Sequence, residues 1–456
     1  MTAGSAAKTA SNGGAPGPWW RTVQPLPDRW ARWLVVALAA AVPLGSATSN
    51  ILSAALLLAW LAAGGFVERW QRIRVYPFAL ASLGLWLLIL TGALWSSSPW
   101  GESWRNIEKY ARLLLVPIVI SLIVDERWRR RALLAWMVAM LLTLALSYLH
   151  AFWAFPLARA TRDGALGDHY IFKHHITQNV MMSVFAVAAL AEAVRRWVRQ
   201  PDLAWWREPV ALAWFALALL AAFNVLVLVQ GRTGYVTLFA NMGVAALILL
   251  RLKRAKLLAP VLLIVLAASA VSSEALRERT REAVAEASAA REGASLTSIG
   301  RRAEFIERSW ALIRERPLLG WGTGAYAEQF CRVARSPEWC AVGYYNPHNQ
   351  FVFIGVQLGL VGLAALLIWL VAALASLWRL EPTERLVGLA LVVSFVIHAM
   401  LDSPLYIATE SVWYPLHLAL ASALAWRSDR TGDQGSDSKA IASSSTRSTD
   451  GHSGQD

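Results

Sequence analysis

The sequence predicts an all-α, polytopic membrane protein with about 12 transmembrane helices. Three observations indicate this fold class. The chain of 456 residues is 57% hydrophobic and only 16% charged. Its apolar residues form long uninterrupted runs instead of alternating with polar ones. Its basic residues concentrate in every second short loop. This composition is typical of membrane proteins and excludes an ordinary soluble core.

The charge-free runs define the helices, because a membrane span needs roughly 20 apolar residues. The runs are residues 33–67, 75–101, 113–124, 132–158, 176–191, 210–231, 233–250, 257–273, 349–378, 386–401 and 411–426. The first run is long enough for two helices, with a break near Pro43, Gly45 and residues 46–50. The short runs are completed by flanking residues.

The short basic loops predict the orientation, because positive charge near helix ends resists translocation. The basic loops are residues 68–74, 125–131, 195–209, 251–256 and 378–385. We expect these loops and both termini to face the cytoplasm of a bacterium, with the chain in the inner membrane. The net charge of +13 is then a topology signal and gives no case for nucleic-acid binding.

The predicted organisation has five parts. Residues 1–30 form a cytoplasmic tail without the pattern of a cleaved signal peptide, and residues 31–272 hold transmembrane helices 1–9. Residues 273–347 form one large periplasmic loop domain, residues 348–426 hold helices 10–12, and residues 427–456 form a disordered cytoplasmic tail.

The large loop contains two helix-forming segments and both cysteines of the chain. The second segment places Phe305 and Trp310 at helical spacing and ends at Pro317. Cys331 and Cys340 lie on the oxidising side of the membrane, so we expect a disulfide, with two unpaired thiols as the alternative.

Other polar residues gather at the external ends of helices. Arg105, Lys109 and Arg112 are spaced so that they share one helical face. His174 and His175 open a later helix, where a structural role is the alternative to a place in an acceptor cleft. Arg232 is the single charge in the turn QGRTGY, where Gly231 and Gly234 permit a sharp bend, and a snorkelling anchor is its alternative role.

The segment YYNPHNQFVF begins the tenth helix. Asn346 can cap this helix and Pro347 suits its first position, which places His348 in the first turn at the periplasmic mouth. A helix N-terminus disfavours protonation of a nearby imidazole. We therefore expect His348 to be neutral and able to accept a proton, although an interfacial histidine beside a cap is the alternative. Gly355, Gly359 and Gly362 follow on one face of this helix, where we expect them to allow a neighbouring helix to approach closely.

These segments resemble the O-antigen ligase family. The resemblance rests on His348-Asn349 followed by Gly359 and Gly362, on SIGRRAEFIERSWALIRERPLLGWGTG at residues 298–324, and on QGRTGY. Val236 stands where the family pattern has Leu. The motifs cover residues 230–365 and are shared with O-antigen polymerases and protein O-oligosaccharyltransferases. The resemblance also implies a fold similar to GT-C-like membrane glycosyltransferases.

The resemblance implies an enzyme that transfers a preassembled glycan from undecaprenyl pyrophosphate to a sugar hydroxyl of lipid A-core on the periplasmic face. Membrane lipids are the remaining expected partners, and no cofactor is expected. The sequence lacks an Asp-x-Asp motif, so arginine is the expected counter-charge for the pyrophosphate and no metal is assigned.

The residues divide into roles on this basis. His348 is the expected general base of a single, inverting displacement. The expected pyrophosphate ligands are Arg232 and Arg302, with Arg301, Arg105, Lys109 and Arg112 as weaker candidates. The possible acceptor cleft contains His174, His175 and Asn349.

Three other functions stay open. A polymerase uses the same donor, but two large external loops are expected for it and only one is large here. A protein glycosyltransferase is the second, although no soluble extension follows the last helix. A transporter is the third, and for it only His398 and His417 offer ionisable groups within a span.

Overall fold

The structure is a computed structural model that describes residues 26–154, 156–165, 167–200, 207–252, 298–343 and 345–425, with isolated positions between 260 and 285. The described residues are helical and contain no strand. In chain order the helices are α1 (Leu26–Leu44), α2 (Ser46–Ala62), α3 (Phe66–Ile73), α4 (Pro77–Thr91), α5 (Trp100–Tyr110), α6 (Leu115–Leu122), α7 (Glu126–Phe152), α8 (Arg159–Arg162), α9 (His175–Arg199), α10 (Pro209–Phe223), α11 (Arg232–Arg251), α12 (Ser298–Glu315), α13 (Tyr326–Val333), α14 (Pro337–Gly343), α15 (Gln350–Trp378), α16 (Pro382–Leu401) and α17 (Glu410–Ser422).

The all-α, polytopic membrane fold predicted from the sequence is confirmed. Among the described residues, seven helical stretches are long and apolar enough to cross a membrane. They are Pro77–Trp95, Glu126–Phe152, His175–Arg199, Pro209–Leu228, Arg232–Arg251, Gln350–Trp378 and Pro382–Leu401. The pair α2 and α3, bent by 117°, raises the number to eight if it forms one broken span.

The predicted apolar runs coincide with helices wherever the structure describes them. The break expected in residues 33–67 falls between α1 and α2, at Gly45. The run at 113–124 contains α6, which has only eight residues, and the run at 411–426 contains α17, which has 13. The run at 257–273 lies outside the described ranges, so the number of about 12 spans stays a prediction.

Helix α9 is the centre of the bundle. In its apolar window 83% of the residues are buried, against 33% to 56% for the other candidate spans of the described chain. It packs on α10, α11 and α16, while α15 packs on α4, α16 and α12. The central position leaves α9 little surface for lipid, and its buried polar side chains bond to neighbouring segments: Gln178 accepts from the Ile171 N–H, and Asn179 donates to the Val229 carbonyl.

The antiparallel helices bring several chain segments to one end of the bundle, which we call the His348 end. Helix α15 begins there and α16 ends there, because His348 contacts Asp402. Helices α9 and α11 also begin there, since Gly231 packs against His175 and an electrostatic interaction links His174 to Asp402. We call the opposite end, where α9 finishes, the Arg199 end.

Candidate active site

Helix α15 begins three residues later than the sequence suggests. Asn349 is the N-cap: its side-chain oxygen accepts from the backbone N–H of Val352 at 3.0 Å. The expectation that Asn346 caps the helix and that His348 lies in its first turn is therefore wrong. The Asn346 side chain instead accepts from the His348 N–H at 2.9 Å, which forms a tight turn just before the helix.

His348 has a left-handed backbone with φ 52°, and no other non-glycine residue of the described chain has a positive φ. Positive φ is uncommon for residues other than glycine, although Asn, Asp and His adopt it more often than the rest, and such residues concentrate at functional sites. The side chain of His348 is 40% exposed.

Asp402 holds the imidazole of His348. It opens the connection of residues 402–409 between α16 and α17, which we call the α16–α17 connection. Its Oδ1 lies 3.1 Å from His348 Nδ1 and accepts from Asn346 Nδ2 at 2.7 Å and from the Ser403 N–H at 2.8 Å. Ser403 Oγ donates to Asn346 Oδ1 at 2.7 Å, so the four residues form a closed network.

The charge of Asp402 decides which nitrogen of His348 is available. Burial raises the pKa of the Asp402 carboxyl, but the hydrogen bond and charge of His348, the charge of His398 and the Ser403 N–H together hold that pKa below its ordinary value. An ionised carboxylate needs a donor, so Nδ1 carries the hydrogen and Nε2 is left as the proton acceptor.

Phe305 of α12 lies against the other face of the His348 ring. The ring centroids are 6.2 Å apart and the planes differ by 21°. Phe305 is buried, and it packs on Phe330 of α13 and on Trp339 of α14. The Cys331–Cys340 disulfide, with Cα atoms 4.6 Å apart, joins α13 to α14. The bond thus braces the aromatic cluster behind the imidazole.

Arg301 and Arg302 precede Phe305 by four and three residues in α12. Residues at these spacings share one side of a helix, so both arginines lie on the side of α12 that carries Phe305. Both are partly exposed. Phe305 is the residue on this side whose ring lies beside the imidazole of His348.

Gly359 breaks α15 and receives the chain that follows α12. Its dihedrals, φ 60° and ψ −153°, are non-helical, and a Cβ there would lie 2.4 Å from the carbonyl oxygen of Leu318. The expectation that Gly355, Gly359 and Gly362 form one face for a neighbouring helix is wrong for Gly359, which admits a turn of backbone instead.

Four backbone hydrogen bonds close this junction. The N–H groups of Leu360 and Val361 donate to the carbonyls of Pro317 and Leu318, at 2.7 and 3.2 Å. The N–H groups of Trp321 and Gly322 donate to the carbonyls of Val356 and Gln357, at 2.9 and 2.8 Å. The groups freed by the break are thus satisfied, as buried backbone requires. The junction fixes α12 relative to the start of α15.

Arg232 begins α11 beside the start of α9. Gly231 is the N-cap, and a Cβ there would lie 3.2 Å from the His175 ring. Gly234 lies within α11 and does not form the turn, contrary to the expectation. A Cβ on Gly234 would lie 2.5 Å from Asn179 Cβ, so this glycine allows α9 and α11 to approach.

His174 and His175 lie at the mouth of α9. Their ring centroids are 3.9 Å apart, and His174 is exposed. Although the residue reaches the surface, partial desolvation of its ring and the charge of Arg159 lower the pKa of His174, against the opposing charges of Asp163, Glu410 and Asp402. The mouth of α9 is thus close enough to Asp402 for their charges to interact.

The basic group on α5 is divided by the structure. Helix α5 ends at Tyr110, and Arg112 lies in the following 3₁₀ turn, so the expected single face contains only Arg105 and Lys109. Arg105 pairs with Glu102 at 2.8 Å, and Arg112 donates to Asn50 Oδ1 at 3.1 Å.

Lys109 is the member of this group that reaches the α16–α17 connection. Its Nζ lies 3.5 Å from the centroid of the Tyr406 ring. Burial, followed by the charges of Arg112 and Arg105, lowers the pKa of Lys109. The same connection is anchored to α15, because the Leu405 N–H donates to Gln350 Oε1 at 2.8 Å.

Lys173 is a buried cation that the sequence reasoning missed. Its Nζ donates to Ser46 Oγ at 2.9 Å and to Thr409 Oγ1 at 3.1 Å. Burial lowers its pKa to about 8, with Glu410 acting in the opposite sense and Arg159 in the same sense. Glu410 is buried as well, accepts from Thr177 Oγ1 at 2.5 Å, and has one oxygen without a partner in the described chain.

Neither the Asp402 nor the Glu410 carboxylate belongs to a cluster suited to a metal ion. Among the described residues, no group of three His, Cys, Asp or Glu side chains could hold one. Asp402 Oδ1 is already committed to His348, Asn346 and Ser403. The polar groups that the structure places at this end of the bundle include an imidazole held by a carboxylate, at His348, and the cations of Lys109 and Lys173.

Comparison with known proteins identifies the part of the chain that holds most of this site. Residues 216–367 match a family model described as O-Antigen ligase, which confirms the resemblance seen in the sequence. A search of curated proteins found no match. The matched range includes Arg232, Arg302 and His348, whereas Asp402 lies beyond it.

Proposed function

We propose, from the premise that this multi-pass membrane protein carries an O-antigen ligase domain, that it transfers preassembled O-antigen from undecaprenyl pyrophosphate to a hydroxyl of lipid A-core. At the coarser level the chain is a ligase or polymerase of the glycosyltransferase kind. The observation that carries the proposal is the His348–Asp402 pair, an exposed imidazole held by a carboxylate 3.1 Å away.

The pair provides a general base for a single displacement. The acceptor oxygen attacks the anomeric carbon, the bond from that carbon to the pyrophosphate oxygen breaks, and the hydroxyl proton passes to His348 Nε2. Asp402 stabilises the imidazolium that forms and keeps the ring in the tautomer that can accept. The proton then leaves to solvent, and the configuration of the anomeric centre is inverted.

Arginines supply the charge that the leaving pyrophosphate needs. We assign Arg302 and Arg232 to the pyrophosphate, because a guanidinium binds phosphate oxygens in a bidentate fork. The position of Arg302 and Arg301 one turn from Phe305 supports this assignment. Arg105 and Arg112 are weaker candidates, because their guanidinium groups bond to Glu102 and Asn50. Lys109 is the remaining candidate.

The acceptor would enter beside the α9 mouth. His174 is exposed and close to the charge of Asp402, which supports a contact with the core sugar. His175 lies behind it, against Gly231. The Asn349 side chain accepts from the Val352 N–H and donates to the Met400 carbonyl. We therefore assign it to stabilising the start of α15 and not to binding sugar.

The reaction is proposed to be metal-independent and to occur on the periplasmic face of the inner membrane. The commitment of Asp402 to three donors supports the first point. Two of the basic loops, residues 125–131 and 378–385, meet at the Arg199 end through the Arg129–Glu384 ion pair, which supports cytoplasmic termini and a periplasmic His348 end.

The lipopolysaccharide of a deletion strain tests the function directly. Loss of a ligase leaves core without O-antigen while lipid-linked polymer accumulates, and plasmid-borne wild type, but not His348→Ala, restores the ladder. Core bearing a single repeat would instead identify a polymerase. Unchanged lipopolysaccharide would refute both and point to protein glycosylation or transport.

A further inference from the structure

A cavity lies at the Arg199 end, away from His348. It has a volume of about 410 Å³ and is lined by α7, α9, α10, α16 and α17. Its walls are apolar and include Leu133, Met137, Val184 and Leu391, with Trp214 at the side. The volume falls in the range of about 300–1,000 Å³ that small-ligand sites occupy.

The mouth of this cavity is strongly basic. Five arginines line it, against three glutamates: Arg129, Arg130, Arg195, Arg196 and Arg199, with Glu126, Glu192 and Glu384. A second hollow of about 300 Å³ adjoins it and is lined by four of these arginines together with Gln200. An apolar chamber therefore opens directly into a cationic vestibule.

The ion pairs show which arginines are available to a ligand. Arg129 is buried and held by Glu126 and Glu384. Arg195 pairs with Glu192 through two nitrogens, at 2.6 and 2.7 Å.

The other three arginines make fewer ion-pair contacts than Arg129 and Arg195. Arg130 and Arg196 each use only Nε on a glutamate, at 3.0 and 2.9 Å. Arg199 makes no ion pair within the described part of the chain. Three guanidinium groups thus have free donors toward the vestibule.

We propose that this cavity binds an anionic phospholipid, with its phosphate on Arg130, Arg196 and Arg199 and an acyl chain in the apolar chamber. Only an amphiphile with a negative head matches both halves of the site. Arginine forks bind phosphate oxygens in two-point contacts, and basic pockets between membrane helices are typical binding sites for acidic headgroups. The site is distinct from the one proposed for glycan transfer.

The ion pairs also allow a clean test variant. Removing Arg130, Arg196 and Arg199 leaves Glu126 with Arg129 and Glu192 with Arg195, so no carboxylate loses its last partner. The variant is Arg130→Gln/Arg196→Gln/Arg199→Gln. The matched control is Arg127→Gln, an exposed arginine on the same turn of α7 that lines neither hollow. A second variant, Ala188→Leu, fills the apolar chamber without a change of charge.

Native mass spectrometry of the delipidated, detergent-solubilised full chain gives the readout. We expect phosphatidylglycerol adducts on the wild type and on Arg127→Gln, at least a tenfold loss on the triple variant, and a severalfold loss on Ala188→Leu. Phosphatidylcholine should bind at least tenfold more weakly, and millimolar inorganic phosphate should not displace the lipid.

Three results would overturn the proposal. They are equal adducts on the triple variant, displacement by inorganic phosphate, and equal retention of phosphatidylcholine. Because the readout is lipid mass and not glycan transfer, an inactive enzyme would still report on the site. Failure of this test would likewise leave the His348 mechanism untouched.

Discussion

The α16–α17 connection contributes to the starts of both α15 and α9, but it adjoins an accessible side chain at the first and a buried one at the second. Asp402, at the start of the α16–α17 connection, holds His348, whose side chain is 40% exposed. Glu410, which directly follows this connection, lies near Lys173, which is only 4% exposed and bonds to the hydroxyls of Ser46 and Thr409. The difference in burial separates the roles of His348 and Lys173. A group that exchanges a proton with substrate must be accessible to that substrate, whereas a buried charge stabilises the structure around it.

The largest expected effect is at the exposed mouth. His348→Ala should lower turnover by about 10²–10⁴, the usual contribution of a general base. Asp402→Asn should lower it by a comparable factor, because the amide can hold the wrong tautomer. Turnover is measured with purified protein, lipid-linked donor and core acceptor.

Thermal unfolding in detergent provides the control for these variants. The melting temperature of His348→Ala should stay close to that of the wild type, since an exposed side chain outside a helix contributes little packing. Wild-type turnover in His348→Ala would refute the general-base role, and an unchanged pH profile in a partly active Asp402→Asn would refute the positioning role.

The next effect concerns Arg232 and Arg302, the arginines assigned to the pyrophosphate. Arg232→Lys and Arg302→Lys should each reduce turnover by about 10²–10³, because a point charge cannot reproduce the fork on a leaving pyrophosphate. Arg314→Lys, on the same helix as Arg302 but beside Trp310, is the matched control and should be nearly normal. Near-normal activity of both test variants would show that these arginines are snorkelling anchors or packing residues and do not bind the pyrophosphate.

At the buried mouth we expect an effect on stability and its pH dependence. The pKa of Lys173 is about 8 in the folded chain, below its ordinary value of 10.5. Between these values the unfolded chain binds more protons, so the contribution of Lys173 to stability rises with pH. The Lys173→Met variant has no titrating group at this position, so its stability lacks this dependence on pH.

Melting curves measured at intervals between pH 7 and pH 10.5 test this point. The wild type should gain about 2–4 °C relative to Lys173→Met as pH increases through this window. Turnover of the variant at neutral pH should change by less than about tenfold, well below the loss at His348. Parallel melting curves for the two proteins would show that Lys173 is not the perturbed group, and a loss as large as that of His348→Ala would erase the contrast between the mouths.

The smallest expected effect is that of removing divalent metal. Transfer in excess EDTA should equal transfer in buffer, because a hard cation would need carboxylates and Asp402 already binds three donors. If EDTA stopped the reaction and magnesium or manganese restored it, Asp402 and Glu410 would become the first metal ligands to mutate.

Hydropathy and local motifs predicted the helices and brought His348 to a helix mouth, but the cap they predicted, Asn346, is wrong. Asn346 and Asn349 are both good N-caps, and only the bond from Val352 to Asn349 decides between them. The partner of His348 lies 54 residues away in sequence, so no local pattern reveals it.

Lys173 was missed for a different reason. It adjoins His174, yet nothing in the segment KHHITQN distinguishes a buried lysine from a snorkelling one. Its hydroxyl partners, Ser46 and Thr409, come from remote parts of the chain. Similarly, the spacing of Gly359 suits close packing of a neighbouring helix, and only the structure shows its positive φ and the turn of backbone beside it.

The junction at Gly359 also has a mechanical consequence. Four backbone hydrogen bonds join the turn after α12 to both sides of the break, and Phe305 of α12 lies on His348. The first turns of α15, this turn and α12 therefore move as one rigid body, and a displacement of α12 carries the imidazole with it. In hydrogen exchange, the amides of Trp321 and Leu360 should open together, as one cooperative unit.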